Sequence, residues 1–331
     1  MNSIKEYAYA KINLYLNITD KRDDGFHDLI TIMQLVSLHD VVELKLNAKP
    51  QHYISFTNVD FPIEPTKNLA YIAVEKFYER LNKPDACKVT INIKKKIPVA
   101  SGLAGGSADA GAVLRGLNKL FNDPFTIDEL CEIASEIGSD VPFCTKGGVQ
   151  LCTSRGEVMS SMKGLNHVYI LLAQAGEKQS TAEQFKQLDD KFESYTYDDE
   201  TANNFLDLCS DLFGHRYDDS MGKMYNIFEE LYKDDEKANL IKSIMLKRHG
   251  KFAMLSGSGP TIFGIYESDH DVQIAKRHLS NAKIKSIVCH PINREYSEIT
   301  DTEMPWDHYC ITKDVFKANR ERRLNGFKIK Y

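Results

Sequence analysis

No stretch of this 331-residue sequence approaches the roughly 18 consecutive apolar residues that a membrane-spanning helix requires. The N-terminus has no basic region followed by an apolar run and a small-residue cleavage site, so a signal peptide is not expected and a cytoplasmic location is. The seven cysteines are odd in number and widely spaced, and no pair has the C-x-x-C spacing of a zinc or redox site. Free thiols in a reducing compartment are the expected state. Neither charge sign dominates. The formal net charge is −5 with both signs well mixed, which offers no general attraction to nucleic acid or to an anionic membrane surface. An anionic small molecule would need a local basic site. Internal repeats and low-complexity segments are also absent.

What is present is ordinary globular composition, 42% hydrophobic and 27% charged, in a length suited to two domains. Strand and helix patterns alternate without the βαβ rhythm of a parallel sheet. Residues 7–16 alternate strictly: Ala8, Ala10, Ile12, Leu14 and Leu16 share one face, and Tyr7, Tyr9, Lys11, Asn13 and Tyr15 the other. Strands are expected over 30–46 with an interruption near His39-Asp40, and again over 88–93. Helical spacing covers 68–81 and the segment opened by Ser107, where Ala110, Val113, Leu114, Leu117, Leu120 and Phe121 fall on one face. A further helix starts at the Thr126/Glu129 capping box and stops at Gly138. Later helices are expected over 182–188, 202–213, 223–231, 237–247 and 271–279, with strands at 168–173, 252–255 and 261–266. The expected division is 1–160, 161–292 and an extension over 293–331.

The strongest chemical signal is Pro98-Val-Ala-Ser-Gly-Leu-Ala-Gly-Gly-Ser-Ala-Asp109. A strand ends near Ile97, a loop with three glycines follows, and a helix begins at Ser107. Glycines let backbone amides approach a bulky anion, and the first turn of a helix favours phosphate. Ser101 and Ser107 add hydroxyls suited to phosphate oxygens or magnesium-bound water. No G-K-[ST] closes the loop and no G-x-G-x-x-G spacing occurs, so neither a Walker loop nor a dinucleotide fingerprint is present. A glycine-rich turn that only caps a helix would look the same from composition. Ser256-Gly-Ser-Gly-Pro260 is either a hairpin turn or a second ligand loop. Asp140, in Gly138-Ser-Asp-Val-Pro142, is either a cap or a functional carboxylate. Lys11 lies mid-strand, where lysine is depleted, and is either a functional cation or a snorkelling surface residue.

Taken in order, Ala10-Lys-Ile-Asn-Leu14, Asp24-Gly-Phe-His27, Pro98 to Asp109, Gly138 to Pro142 and Ser256 to Pro260 resemble the GHMP kinases. The A-K-I-N-L and D-G-F-H segments are similar to the branch acting on a cytidyl-diphosphate methylerythritol. The resemblance covers about residues 5–290. It implies an α+β fold of two domains, the N-terminal one like ribosomal protein S5 domain 2 with its left-handed βαβ feature, the C-terminal one like an α/β plait. It implies phosphoryl transfer from ATP with Mg2+ to a hydroxyl of a small molecule. Lys11 and Asp140 then match the catalytic pair. Pro98, Val99, Ala100, Ser101, Gly102, Leu103, Ala104, Gly105, Gly106, Ser107 and Ala108 match the ATP phosphate loop, with Ser107 on the magnesium side. Asn13, Phe26, His27 and Phe185 match substrate positions, His27 toward the edge of a cytosine and Phe185 toward its face.

Such a carboxylate would accept the hydroxyl proton. A neighbouring lysine would favour its ionised form and stabilise developing charge. A small-molecule substrate, no nucleic acid, no membrane and a monomer or homodimer are the expected associations. Homoserine or mevalonate kinases, and a non-catalytic binding protein of the same fold, are the alternatives. The last would lack a lysine or aspartate that this chain keeps. Three features depart from the family pattern. Tyr9 stands where proline is usual, residues 173–178 lack the usual K-P-x-x-G-x-S run, and the extension carries Lys317, Arg320, Arg322, Arg323, Lys328 and Lys330.

Overall fold

A computed structural model of the chain describes residues 2–47, 52–56, 64–83, 87–177, 179–195 and 197–298. The six basic residues of the extension lie outside them. The chain starts with two long strands, β1 (Ser3–Lys21) and β2 (His27–Asn47), then β3 (Tyr53–Phe56), α1 (Leu69–Leu81) and β4 (Lys88–Lys94). Three helices follow, α2 (Gly105–Leu120), α3 (Ile127–Ser135) and α4 (Val141–Lys146), and then a hairpin, β5 (Val149–Ser154) and β6 (Val158–Ser161). Next come β7 (Tyr169–Gln174), α5 (Thr181–Lys191), α6 (Asp199–Phe213), α7 (Tyr217–Met221) and β8 (Tyr225–Asn226). The described chain closes with α8 (Glu236–Lys247), β9 (Phe252–Leu255), β10 (Thr261–Tyr266), α9 (Asp269–Asn281), β11 (Ser286–Cys289) and β12 (Pro291–Ile292).

These strands form two sheets. The larger runs β3-β4-β2-β1-β8, with β5 and β12 also paired to β2 and β6 paired to β5. β1 and β2 pair antiparallel, and β3 and β4, separated in sequence by α1, pair in parallel. The smaller sheet is antiparallel in the order β11-β7-β10-β9. Two cores result, and the first also takes in Ile170, Leu172, Phe263 and Ile265 from one face of the smaller sheet. Ala8, Ala10, Ile12 and Leu14 of β1 pack with Val113, Leu114 and Leu117 of α2, whereas Leu171, Ile262 and Tyr266 pack with Ile241, Met245, Val272 and Leu279 of α8 and α9. Apolar residues at i, i+3 and i+4 form the stripe that α2 buries, as its spacing demands.

Several sequence expectations are corrected in detail. β2 runs unbroken through His39-Asp40, and only its register against β1 shifts, between Tyr9 and Ala10. Asp40 is fully buried there, with a structural task described below. Of the two readings left open for Lys11, the snorkelling surface one does not hold: Lys11 is 4% exposed and Asn13 2%. The helix expected at Ser107 starts two residues earlier, with Ala104 as a left-handed N-cap at φ 58°. The helix expected over 223–231 is instead the short β8 and a 3-10 turn, Ile227–Leu231, capped by the Asn226 side chain. The capping box of Thr126 and Glu129 forms as expected. Among the described cysteines none is in a disulfide, and burial pushes the thiols of Cys144, Cys152 and Cys289 up. No described helix is long and apolar enough to cross a membrane.

Candidate active site

One cleft of about 720 Å³ collects most of the residues singled out in the sequence. Its walls include Lys11, Asn13, Phe26, His27, Asp140 and Phe185, together with Ala100, Ser101, Gly102, Ala104, Gly105, Gly106 and Ser107. Four of the eleven residues matched to the phosphate loop are elsewhere. Pro98 and Leu103 face a separate cavity, Val99 is exposed, and Ala108 is buried in the core.

The glycine-rich end is built from backbone. Gly102 has φ +79°, and a Cβ there would lie 2.5 Å from the carbonyl oxygen of Gly259. Glycine is therefore required both by conformation and by the contact between the two glycine-rich loops. The Lys11 amide donates to the Leu103 carbonyl at 3.2 Å and ties the first loop to β1. Asn226 donates to the carbonyls of Leu255 and Gly257 at 2.8 and 2.9 Å and fixes the second. Where the loop enters α2, the first-turn amides have no helical acceptors, as at any helix start. The N-cap residue, Ala104, offers no side chain to cap them.

A buried charge cluster supports this helix start. Lys95 Nζ sits 2.5 Å from Asp40 and 2.6 Å from Asp109. Asp40 also accepts from the amides of Lys96 and Ile97, which fixes the turn from β4 into the loop. Burial pushes the Asp109 carboxyl up to about 7, against the downward pull of Lys95.

Around Lys11 and Asp140 the contacts are short-range. Lys11 Nζ donates to Asn13 Oδ1 at 2.7 Å, Asn13 donates to Thr31 Oγ1 at 2.8 Å, and Thr31 donates to the Tyr15 carbonyl at 2.6 Å. This chain holds the ammonium rigid. Asp140 Oδ2 lies 3.7 Å from Lys11 Nζ. Asp140 occupies the N-cap position of α4, yet its side chain makes no capping bond. The carboxylate is 39% exposed and faces the cleft, with Lys11 almost buried behind it.

The far end is built from side chains. His27 stacks on Phe185 with centroids 4.7 Å apart and planes 17° from parallel, and Phe228 meets Phe185 edge-on. His27 Nε2 is 2.8 Å from Asp189 Oδ1. Tyr195 and Lys21 also donate to Asp189, each at 2.7 Å. Burial would push the Asp189 carboxyl up, but the bonds from Lys21, Tyr195 and His27 outweigh it and hold it at about 2. An ionised Asp189 requires the proton on Nε2 of His27. Phe26 is 53% exposed, and the Arg155 guanidinium lies 5.2 Å from its ring.

Sequence reasoning missed Asp189, Lys21, Tyr195, Thr31 and Arg155. One signal was available: Asp189 is four residues after Phe185, one turn along the same helix face. Among the described residues no group of three or more His, Cys, Asp and Glu is placed to hold a metal ion.

Two family models match the chain: the GHMP kinases N-terminal domain over residues 68–148 and the GHMP kinases C-terminal domain over 222–285. A 4-diphosphocytidyl-2-C-methyl-D-erythritol kinase of Caldicellulosiruptor saccharolyticus is 35% identical over 288 residues, which is 85% of this chain and 94% of that protein. A crystal structure of 4-(cytidine 5'-diphospho)-2C-methyl-D-erythritol kinase superposes with a TM-score of 0.69 at 24% identity, covering 87% of this chain and 99% of that one. A homoserine kinase from Cytophaga hutchinsonii gives a TM-score of 0.71 at 21% identity, with 89% and 96% covered. Backbone likeness thus establishes the fold without choosing among acceptors.

Proposed function

We infer the function from one premise: the chain belongs to the 4-diphosphocytidyl-2-C-methyl-D-erythritol kinases, a family of the GHMP kinases. It transfers the terminal phosphoryl group of ATP to the 2-hydroxyl of 4-diphosphocytidyl-2-C-methyl-D-erythritol, a step in non-mevalonate isoprenoid precursor synthesis. The observation that carries this reading is the 3.7 Å approach of Lys11 Nζ to Asp140 Oδ2 in the same cleft as the phosphate loop.

Phosphoryl transfer asks a protein mainly for alignment and charge stabilisation. Asp140 accepts the proton of the attacking hydroxyl. Lys11, held by Asn13, balances the negative charge that develops beside it. The residues around Gly102 and the start of α2 fit a triphosphate. Their amides are free at a helix start, and the buried Ser101 hydroxyl has no hydrogen-bond partner among the described residues. Magnesium fits as an ion borne by the nucleotide. Ser107 is the oxygen donor offered to it, and it would neutralise phosphate charge. His27 presents Nδ1 to a cytosine edge because Asp189 takes Nε2. Phe26 supplies an exposed face for the ring, whereas one face of Phe185 is already covered by His27, so Phe185 supports the histidine.

Coupled ADP release tests the reading with the cytidyl-methylerythritol substrate, homoserine and mevalonate side by side. Turnover is expected with the first alone; faster turnover of either other acceptor would replace the reading. Asp140→Asn should lower kcat by about 10²–10⁴ while sparing ATP binding. Near-normal turnover would remove that carboxylate from the chemistry.

A further inference from the structure

The C-terminal end of the described chain, beyond the segment matched by the family model, folds back behind α4. We propose that Tyr296, acting through Arg115, is a positioning residue that fixes α4 and so aims Asp140 at Lys11. This rests on the reading of Asp140 given above.

Arg115 of α2 is 5% exposed, and its guanidinium lies 3.3 Å from the centre of the Tyr296 ring. The same group donates to the Cys144 carbonyl of α4 at 2.7 Å, to the Tyr7 carbonyl of β1 at 2.9 Å and to Glu6 at 3.3 Å. One side chain thus joins α2, α4 and β1. Tyr296 holds it in place: its hydroxyl accepts from the Tyr9 amide at 3.0 Å and its ring covers the cation.

The segment also grips the C-terminal end of α4 directly. Gly147, its C-cap, bridges to Glu295, and a Cβ on Gly147 would lie 2.6 Å from the Tyr296 ring. Glu295 accepts from Gln150 at 3.1 Å and from Ser161 at 2.5 Å.

The opposite end of α4 is Asp140. Its side chain has no capping bond, so its aim is set by the placement of the helix. Six residues span only about 9 Å, and so short a helix moves as one piece. A shift at the Tyr296 end therefore appears at the carboxylate.

Tyr296→Ala and Tyr296→Phe, assayed in the full chain at a temperature where circular dichroism shows both folded, test the proposal. Tyr296→Ala should lower kcat by about tenfold or more, because small misplacements of reacting groups are costly. KM for ATP and for the cytidyl substrate should stay within about twofold, and Tyr296→Phe, which keeps the ring, should recover most of kcat. Amide exchange over residues 141–146 should quicken in Tyr296→Ala and not in Tyr296→Phe. Normal kcat in Tyr296→Ala would overturn the proposal, as would a loss that Tyr296→Phe shares equally. Asp140→Asn is run alongside: if it turns over normally, the Asp140 reading has failed, whereas an inactive Asp140→Asn beside a normal Tyr296→Ala sinks the positioning role alone.

Discussion

The two ends of the cleft are made by different means. Around Gly102 and Gly257 the walls are main chain, held by close backbone approach and by buried charges beneath. Around His27 and Phe185 they are side chains brought from β2, α5 and the loop after it. On the proposed reading the first end takes phosphate, which presents the same oxygens on every nucleotide, so fixed amides suffice. On the same reading the second end takes a base, which must be told from other bases, and that needs ring faces and aimed polar atoms. Substitutions should therefore act abruptly at the first end and gradually at the second.

The largest effect is expected beneath the backbone-built end. Lys95→Met leaves Asp40 and Asp109 buried without their cation and should cost about 3–5 kcal/mol in chemical denaturation. A loss below 1 kcal/mol would mean that the charges do not hold the loop. Gly102→Ala adds one methyl. It should cost about 1–3 kcal/mol from backbone strain alone and weaken ATP binding, read by calorimetry, because the methyl meets Gly259. Retained ATP affinity would mean that the backbone contact at Gly102 does not shape the nucleotide site.

At the side-chain end His27→Ala should raise KM for the cytidyl substrate about tenfold, the worth of one good hydrogen bond, and spare ATP. An unchanged KM would argue that the base is read elsewhere. The smallest effect belongs to Asp189→Asn. The carboxyl sits at about 2 in the folded chain against a usual 3.8, so its contribution is present above about pH 4 and fades as pH falls toward 2. The drop in Tm of the variant should be full at neutral pH and shrink over that window. A pH-independent difference would make the cause packing rather than charge.

The same contrast explains what could be read from the sequence. The backbone-built end is contiguous, so Pro98 to Asp109 and Ser256 to Pro260 announce themselves as glycine-rich punctuation between a strand and a helix or between two strands. Lys11 and Asp140 stood out because each was unusual for its local context, a lysine in mid-strand and an acid beside a proline. Asp189, Tyr195 and Lys21 did not, because each is an ordinary exposed-looking residue until the fold places it around His27. The misread segments share one cause, tertiary contact overriding local pattern. His39-Asp40 looked like a break because an acid in a strand usually is one, yet Asp40 turns inward to bind the amides of Lys96 and Ile97. Residues 223–231 had helical apolar spacing, but Tyr225 and Asn226 instead pair with Tyr15 and Leu16 of β1.

That last pairing has a counterpart at the other end of the chain, where Pro291 and Ile292 lie beside Val36 and Leu35 of β2. The first sheet is therefore stitched from both halves of the polypeptide. A fragment ending near residue 160 would bare those edges as templates for unrelated strands and clump during expression. Its missing partner, supplied as a separate polypeptide, would be expected to dock there and restore solubility.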